Sequence, residues 1–585
     1  MPVMPKTRRH HNLLLRILPL AVVGLTLATP IARAQTTYTW VAPLAGTGTW
    51  STPANWSPAG PPGTGDIALF TNNGAFPSPG VDLPFTIGRL QFDSTAQTYQ
   101  FETSGNRITL NAVSNIGLQD NSTTGQDFFN QGFALANNQQ WFVAASGITS
   151  LNDQGNVTEV GGARTLTKTG PGTLHLSGVN TFTGGLIIQA GRVNLSATNS
   201  ITQAPVTVNN GILQLGGNEG LATDNALGTG ATIAPLTINQ GGLVTTFTST
   251  QHTLNNLTIN GGTLTGVLQG NPNNYVLSGA SVTINGLATS TINALAGVQL
   301  SGASTFDVGQ NVSGGPDLHV ASVLSGSGSI SKIGEGVMRL GNAAGNNYSG
   351  GTTISGGTLV AANTTGSATG GGAVAVNAGV TPGVLSGTGS VGGAVNVNAG
   401  GRLSPGFNAA NPAAPGPGQL RASGNVTYTD PTGNGSLAVA LAGAQTAEDA
   451  GSNARRSQLA VTGSMTFANG MTVDVSRIGT FGTLGIQNNY TIATAATLNA
   501  PAAFTSVSLT TGVGGGGSAT ANGMTLSVSG FNSGDVFTLL RQAQTLVLQY
   551  TPVPEPAAAL AVLAAGLGVA SWRRRARRRG EPAVG

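Results

Sequence analysis

Cysteine is absent from this 585-residue chain, and only 8% of its residues are charged, against about a quarter in typical globular domains. No disulfide can support the protein, and no thiol can serve as a nucleophile or a metal ligand. The histidines beyond residue 34 are His175, His252 and His319, which are 77 and 67 residues apart. That spacing fits no known histidine metal motif, and we expect no metal site and no cofactor.

Clustered carboxylates are also lacking. The acids occur singly along the chain, except for Glu448 and Asp449, and neighbours on a strand point to opposite faces. A polysaccharide lyase or glycosidase needs several acids on one face. We therefore predict no catalytic residue, although a carbohydrate-active β-helix enzyme remains the alternative function.

The formal charge of +4 is misleading, because basic residues are concentrated at the two ends. Five Lys and Arg lie before residue 35 and six lie between 573 and 579, which leaves 13 between 35 and 556. The same span holds 19 of the 20 acids, so its net charge is near −6. A basic surface for nucleic acid is not expected on this body.

The N-terminus has the pattern of a secretory signal peptide. Basic residues from Lys6 onward precede an apolar stretch from Leu13 to Leu27, and Ala32-Arg33-Ala34 supplies small residues at the cleavage positions. We predict that residues 1–34 are removed by cleavage between Ala34 and Gln35 and that the chain is exported.

The C-terminus combines Pro554-Glu555-Pro556, an apolar run at 557–572 and six arginines up to Arg579. This order resembles the PEP-CTERM sorting signal. The resemblance implies recognition at Pro554, Glu555 and Pro556 by exosortase, a membrane-embedded protease. It also implies a transmembrane sorting helix that anchors the chain transiently in the inner membrane before release to the cell surface or outside. An ordinary tail anchor is the alternative.

Between the two ends, an apolar-x-apolar-Asn unit recurs, mostly at intervals of 20 to 30 residues. No amphipathic helix of ten or more residues is predicted between 36 and 550, so the short alternating runs indicate strands. Repetition of this kind is typical of a solenoid, in which stacked coils bury one shared core. A β-sandwich is the weaker alternative. We expect the coils to stack the following residues in similar inward positions: Val208, Ile238, Ile259, Ile284, Val376 and Val397.

Two segments carry a longer motif. Both Leu166–Val193 and Ile330–Leu359 contain a lysine, spaced glycines, an Asn-x-aromatic and a Gly-Gly pair before a further strand. They resemble the autotransporter-associated β-strand repeat. The resemblance implies that residues 160–406 form a right-handed parallel β-helix.

The expected fold class is therefore all-β: a right-handed parallel β-helix (solenoid) with a short N-terminal cap, a C-terminal β segment and the sorting helix. The predicted regions are the signal peptide at 1–34, an N-terminal β region at 35–159, the β-helix at 160–406, a C-terminal β region at 407–550 and the sorting signal at 551–585. In the first β region, Trp40, Trp50 and Trp56 are predicted to seal the first coil. Contact with a glycan is their alternative role.

These observations predict a secreted, non-enzymatic surface or extracellular-matrix protein with a structural or adhesive role. Its expected partners are exosortase and exopolysaccharide or other surface components. Neither nucleic acid nor a cofactor is among them.

Overall fold

A computed structural model describes residues 35–553 apart from several short internal stretches. Outside the described residues lie 1–34, 43–47, 72–77, 96–97, 102–104, 123–125, 146–147, 152–154, 219–220, 223, 248–249, 269–272, 311–313, 407–415, 430–434, 443–454, 468, 479–486 and 554–585. The described part is built from short strands, and its helices are the single 3-10 turns Pro53–Asn55 and Gly230–Thr232. The all-β prediction is confirmed.

The strands before residue 160 are β1 (Thr37–Trp40), β2 (Trp56–Ser57), β3 (Ile67–Phe70), β4 (Phe85–Ile87), β5 (Arg89–Phe92), β6 (Gln100–Phe101), β7 (Ile108–Leu110), β8 (Ile116–Asp120), β9 (Gln126–Phe129), β10 (Phe133–Leu135), β11 (Gln139–Val143), β12 (Ile148–Leu151) and β13 (Val157–Glu159).

The strands between 160 and 406 are β14 (Leu166–Thr169), β15 (Thr173–Leu176), β16 (Leu186–Ile188), β17 (Arg192–Leu195), β18 (Val206–Val208), β19 (Ile212–Leu215), β20 (Gly217–Asn218), β21 (Leu221–Ala222), β22 (Leu236–Asn239), β23 (Leu243–Thr246), β24 (His252–Asn260), β25 (Thr263–Gly266), β26 (Tyr275–Ile284), β27 (Ser290–Ala294), β28 (Val298–Leu300), β29 (Ser304–Val308), β30 (Leu318–Val320), β31 (Leu324–Ser325), β32 (Ile330–Ile333), β33 (Val337–Leu340), β34 (Thr352–Ile354), β35 (Thr358–Ala361), β36 (Val374–Val376), β37 (Val384–Gly387), β38 (Ser390–Val391), β39 (Val395–Val397) and β40 (Arg402–Pro405).

The remaining strands are β41 (Gly418–Ala422), β42 (Val426–Tyr428), β43 (Ser436–Leu441), β44 (Ser457–Val461), β45 (Ser464–Thr466), β46 (Met471–Arg477), β47 (Asn488–Thr494), β48 (Thr497–Asn499), β49 (Ser506–Thr510), β50 (Gly517–Ala521), β51 (Met524–Ser529), β52 (Val536–Arg541) and β53 (Thr545–Thr551).

Two long sheets of parallel strands run through most of this length. The first sheet stacks β1, β3, β5, β8, β11, β14, β16, β18, β22, β24, β26, β29, β32, β34, β36, β39, β42, β45 and β48 in that order, each parallel to the next. The second sheet stacks β6, β9, β12, β15, β17, β19, β23, β25, β27, β30, β33, β35, β37, β40, β43, β46 and β51 in the same way. Successive coils contribute one strand to each sheet, as in a β-helical solenoid.

Strand alternation explains which residues form the core. In β18, β22 and β24 the outer residues of each Val-Thr-Val or Leu-Thr-Ile triplet are buried, and the central threonine faces outward. Val208 is opposite Ile238, which is opposite Ile259. Because no single coil can bury its apolar face alone, this stacking supplies the hydrophobic driving force.

The six residues predicted to stack are all buried, but they do not form one column. Ile284 follows Ile259 in register and leads to Val308. Val376 and Val397 instead continue the neighbouring column, which passes through Phe306, Lys332 and Ile354. The six residues are inward as predicted, but they occupy two columns that are two residues apart along the strand. A shift of two preserves the inward face, because the side-chain period of a strand is two.

The asparagines that end the repeated triplets form ladders between coils. Asn239 donates from Nδ2 to Oδ1 of Asn209 at 2.6 Å, and Asn260 donates to Asn239 at 2.8 Å. Further along, Asn398 donates to Asn377 at 2.6 Å. An amide can donate upward and accept downward at once. The recurring asparagine is therefore explained by hydrogen bonding from one turn to the next.

The N-terminal end of the core is aromatic rather than aliphatic. Trp56 packs edge-on against Trp40 and Trp50, with ring centroids 5.0 and 4.8 Å apart. Phe70 contacts all three rings, and its stacking partner Phe92 continues the series into the next coils. Large rings fill the core among these first described strands.

The C-terminal end changes from parallel to antiparallel pairing. A third sheet begins with the parallel strands β38, β41, β44 and β47 and continues with β53, β52 and β49, which pair antiparallel. A smaller parallel sheet of β4, β7, β10 and β13 lies in the N-terminal region. Parallel strand pairing therefore continues across both predicted boundaries of the β-helix, after residue 159 and after residue 406. The predicted division into regions and the right-handed sense of the coil stay predictions.

Candidate binding groove on the second sheet

The three tryptophans proposed as a possible glycan contact lie in the core. Trp40 and Trp50 have 0% and Trp56 has 2% of their surface exposed. The Trp56 indole N–H donates to the carbonyl of Trp50 at 2.8 Å. No indole face is left for a sugar to stack on, so the glycan interpretation of these residues is corrected. Their burial is that of a cap on the first coils.

The predicted processing sites lie mostly outside the described residues. This applies to Ala34 and to Pro554, Glu555 and Pro556, whereas Gln35 is described and exposed. The apolar run at 557–572 is outside as well. Within 35–553, as far as it is described, the structure contains no helix that is long and apolar enough to cross a membrane.

His175 and His252 are placed as structural groups. His175 is buried and its Nδ1 lies 3.2 Å from Nδ2 of Asn194. Burial, and then the charge of Arg192, lower its pKa to about 4. His252 is fully buried beside Thr250, and burial lowers its pKa to about 3. Both rings are therefore neutral at pH 7, and their hydrogen-bond partners are a side-chain amide, a hydroxyl and backbone groups.

Two acids that sequence reasoning treated as isolated are brought together. Asp120 and Asp127 are both buried and are bridged by Ser122, whose N–H donates to Asp120 at 2.9 Å and whose hydroxyl donates to Asp127 at 3.3 Å. Burial, and then the neighbouring Asp120, raise the pKa of Asp127 to about 7. Tyr99 donates its backbone N–H to Asp127 at 2.8 Å.

This acidic pair is shielded from solvent, and the described residues supply no third acidic or histidine side chain that could complete a metal site. Asp120 is 0% and Asp127 is 2% exposed, so a polysaccharide cannot reach them. No group of three or more His, Asp or Glu able to hold a metal occurs in the described part of the chain. We therefore assign the pair a structural role and not a catalytic or metal-binding one.

Each of the two long motifs buries a lysine. Lys332 is 0% exposed, and its Nζ donates to the carbonyls of Ile333, Gly334 and Gly356 at 2.8, 2.9 and 2.9 Å. Lys168 is equally buried and makes the corresponding bonds within its own motif. Three ammonium protons thus meet three carbonyl oxygens that belong to two successive turns.

Sequence reasoning missed these lysine clamps. The signal was present, because Lys168 is two residues from Leu166 and Lys332 is two residues from Ile330. On a strand that spacing puts both side chains on the same face. Burial lowers the pKa of each lysine to about 8, against the opposing effect of nearby aspartates.

An open groove of about 640 Å³ lies where four neighbouring strands of the second sheet begin. Its register brings together Thr173, Arg192, Ile212 and Leu243, the first residues of β15, β17, β19 and β23. The turns before these strands complete it, and its full lining is Pro171, Thr173, Ala190, Gly191, Arg192, Asn210, Gly211, Ile212, Gly241 and Leu243. The groove therefore crosses the strands and follows the direction in which coils stack.

Two glycines of the lining have backbone conformations and contacts that exclude other residues. Gly191 has a φ of +71°, and a Cβ there would lie 2.4 Å from the carbonyl oxygen of Gly172. Gly241 also has a positive φ, of +83°. Side chains at these positions would be strained and crowded, so glycine lets the turns of neighbouring coils pack closely here.

Arg192 is the one charged residue in the lining. Arg192 donates from Nη1 to the side-chain oxygen of Gln214. The side-chain nitrogen of Gln214 then donates to the carbonyl of Gly217 at 3.3 Å. The guanidinium is thus held in place on the outer face of the sheet while Arg192 remains partly exposed.

The middle part of this sheet has the same sign of charge. From β12 to β40 its strands contain no Asp or Glu, but they contain Arg192, Arg339 and Arg402. Arg339 occupies the same outward column as Arg192 through the intervening strands. These strands therefore carry arginines but no carboxylates, on a body whose net charge is near −6.

Comparison with known proteins identifies the two motif segments. The family Passenger-associated-transport-repeat matches residues 166–195 and 330–361, which span β14 to β17 and β32 to β35. The predicted resemblance of these segments to autotransporter-associated repeats is confirmed. The groove lies partly on the first of them.

The chain is also similar to the Adhesin BmaC autotransporter of Brucella suis biovar 1 (strain 1330). The two are 26% identical over 326 residues, which cover 52% of this chain and 8% of that protein. The chain thus corresponds to a small part of its relative.

Proposed function

We propose that this chain is a non-enzymatic adhesive protein of the cell surface or the extracellular matrix. The observation that carries the proposal is the coincidence of passenger-type repeats with parallel coils that stack in register. The similarity to a protein named as an adhesin supports the same role. A stacked rod presents its outer face at many places, and repeated weak contacts give avidity.

We further propose that the chain reaches the surface through the two signals at its ends. Export would involve cleavage between Ala34 and Gln35, and the inner-membrane anchor at 557–572 would hold the chain until exosortase acts near Pro554-Glu555-Pro556. Matrix polysaccharide or other surface components would then be its partners. The order of the sequence motifs is the support for this route.

Adhesion is tested in the native host by deleting the gene and restoring it. Cells that lack the protein should attach less to surfaces and to one another, and the restored chain should recover attachment. Equal attachment with and without the gene contradicts an adhesive role. Polysaccharide turnover by the purified full-length chain that is lost on replacing a single acid contradicts the non-enzymatic part.

Sorting has a separate test. The Glu555→Ala variant should accumulate as an uncleaved, membrane-held form, while the wild-type protein should lose its tail. Mass spectrometry of the mature surface protein locates its C-terminus. Recovery of peptides that contain Arg577–Gly580 from that protein contradicts removal of the tail.

A further inference from the structure

We propose that the groove at Arg192 binds a linear acidic polysaccharide that bears carboxylate groups, laid along the direction of coil stacking. This inference rests on the proposed adhesive function and names its ligand class. The argument uses the direction of the groove, its chemistry and its charge.

The direction of the groove favours a polymer. Thr173, Arg192, Ile212 and Leu243 are register neighbours on four adjacent strands. Strands in a sheet are about 4.8 Å apart, so the four positions span about 14 Å. An extended chain can pass along this row, because the groove lining continues from strand to strand in the stacking direction.

The chemistry of the groove fits a sugar ring with an acid group. Ile212 and Leu243 provide aliphatic surface for the C–H face of a ring, and Thr173 and Asn210 provide a hydroxyl and an amide at the edge. Binding sites commonly combine such apolar lining with a few placed polar groups. The volume of about 640 Å³ lies within the range of small-ligand sites.

The positive charge of the groove favours a ligand that carries carboxylate groups. Arg192 is already oriented by Gln214, and a guanidinium presents its donors in a fork that matches a carboxylate. None of the ten lining residues is acidic, and the strands of this sheet from β12 to β40 lack acids altogether. An anionic polymer thus meets no like charge from the groove lining or from these strands, although the body as a whole carries net negative charge.

The test measures binding of a short oligogalacturonate to the purified full-length chain in detergent. A maltooligosaccharide of the same length is the neutral comparison, and poly-glutamate is the acidic peptide comparison. We expect binding of oligogalacturonate alone, weakening as the salt concentration rises, because salt screens exposed charges. Equal binding of the neutral sugar or of poly-glutamate overturns the proposal.

The variants locate the site. Arg192→Gln should weaken binding about tenfold, the effect expected of one charge-assisted contact. The control is Arg421→Gln, since Arg421 is an exposed arginine on the third sheet, and its loss should leave affinity unchanged. Equal weakening by both substitutions shows a non-specific charge effect and overturns the assignment.

A gain-of-binding variant removes misfolding as an explanation. Thr173 faces outward beside Arg192 in register, so Thr173→Arg should add a second cation to the groove and tighten binding about fivefold. No gain in a variant with wild-type thermal unfolding contradicts the site.

The adhesion test separates the two proposals. If host cells with Arg192→Gln attach normally and the purified wild type does not bind oligogalacturonate, the adhesive function stands and the proposed groove is wrong. Specific binding by the purified chain without any effect of gene deletion on attachment does the reverse.

Discussion

The ammonium group of Lys332 donates to the carbonyl oxygen of Gly356 at 2.9 Å, and Gly356 lies in the turn of the next coil. The same Nζ bonds two carbonyls of its own turn. A single side chain therefore joins two coils from inside the core. Lys168 repeats the arrangement with Ala190 at 3.3 Å.

Replacing Lys332 by Met should lower the free energy of unfolding by about 2–3 kcal/mol, because buried carbonyls lose their donors. Chemical denaturation of the full-length chain measures the change. Arg421→Met is the control, since Arg421 is exposed and its replacement should cost less than about 0.5 kcal/mol. Equal losses for the two variants would show that the clamp contributes nothing specific.

Buried lysines also predict alkaline stabilisation. Burial lowers the pKa of Lys168 and Lys332 from 10.5 to about 8. Between these values the unfolded chain binds more protons than the folded one, so the free energy of unfolding should rise with pH. Above about pH 10 the buried tyrosines reverse the trend, because burial raises the pKa of groups such as Tyr275 and Tyr428.

The comparison for this prediction is the double variant Lys168→Met/Lys332→Met, followed by denaturation from pH 8 to about pH 10. Its unfolding free energy should rise less than that of the wild type over this window. Parallel curves for the two proteins would exclude the lysines as the source of the rise.

The asparagine ladder should depend on position rather than on residue type. Asn239 both donates to Asn209 and accepts from Asn260, so Asn239→Ala should cost about 1–3 kcal/mol of unfolding free energy. Asn285 ends the same kind of triplet but is exposed, and Asn285→Ala should be nearly neutral. Thermal unfolding compares the pair, and a reversed order would contradict the ladder.

The pair of Asp120 and Asp127 should lower the stability of the N-terminal coils at neutral pH. Burial and Asp120 raise the pKa of Asp127 from 3.8 to about 7, so the folded chain binds more protons in that interval. Stability from this group is therefore lost as pH rises. His175 and His252 act oppositely below pH 6.5, because burial lowers their pKa values. Because these opposite effects overlap, the contribution of Asp127 to stability has to be measured as the difference between wild type and a variant at this position.

The Asp127→Asn variant should therefore gain stability relative to wild type as pH rises from about 4 to about 7, and the gain should level off above that. The control is Glu335→Gln, which removes an exposed carboxylate. A pH-independent difference for Asp127→Asn would contradict the coupling of this pair to folding.

A charge in the first-sheet core should be far more damaging than the same charge beside it. Ile259 is buried, while its neighbour Thr258 faces outward. Ile259→Glu should reduce the unfolding free energy by more than about 3 kcal/mol, since a buried unpaired charge is strongly disfavoured. Thr258→Glu on the same strand should cost less than about 1 kcal/mol. Similar losses from both would contradict the assigned strand faces.

The sequence predicted local features better than their alignment along the solenoid. Alternation identified Val208 and Val376 as inward residues, because the face of a strand depends only on its period of two. Their separate columns depend on register across β29 and β32, where the triplet pattern is replaced by Ser-Thr-Phe-Asp-Val and Ile-Ser-Lys-Ile. Nothing in a short repeat specifies how such a replacement aligns with its neighbours.

The site was harder to predict than the fold. Arg192 and Leu243 are far apart in the sequence and meet because two further coils bring their strands into register. The same reason conceals the relation of Asp127 to Tyr99, whose contact spans 28 residues. The tryptophans are buried, as the predicted role in sealing the first coil requires, and the glycan alternative required exposure that they do not have.

The change to antiparallel pairing at the C-terminal end affects how copies of the chain can meet. Parallel strands at a sheet edge offer the same hydrogen-bonding pattern as the coil before them, and identical coils could be added without limit. Here β50 pairs antiparallel with β51 at the end of the second sheet, and β53, β52 and β49 do so in the third. A further copy of the chain would therefore meet mismatched strand directions in two of the three sheets, whereas the first sheet still ends on the parallel strand β48, and this disfavours unbroken end-to-end stacking of coils.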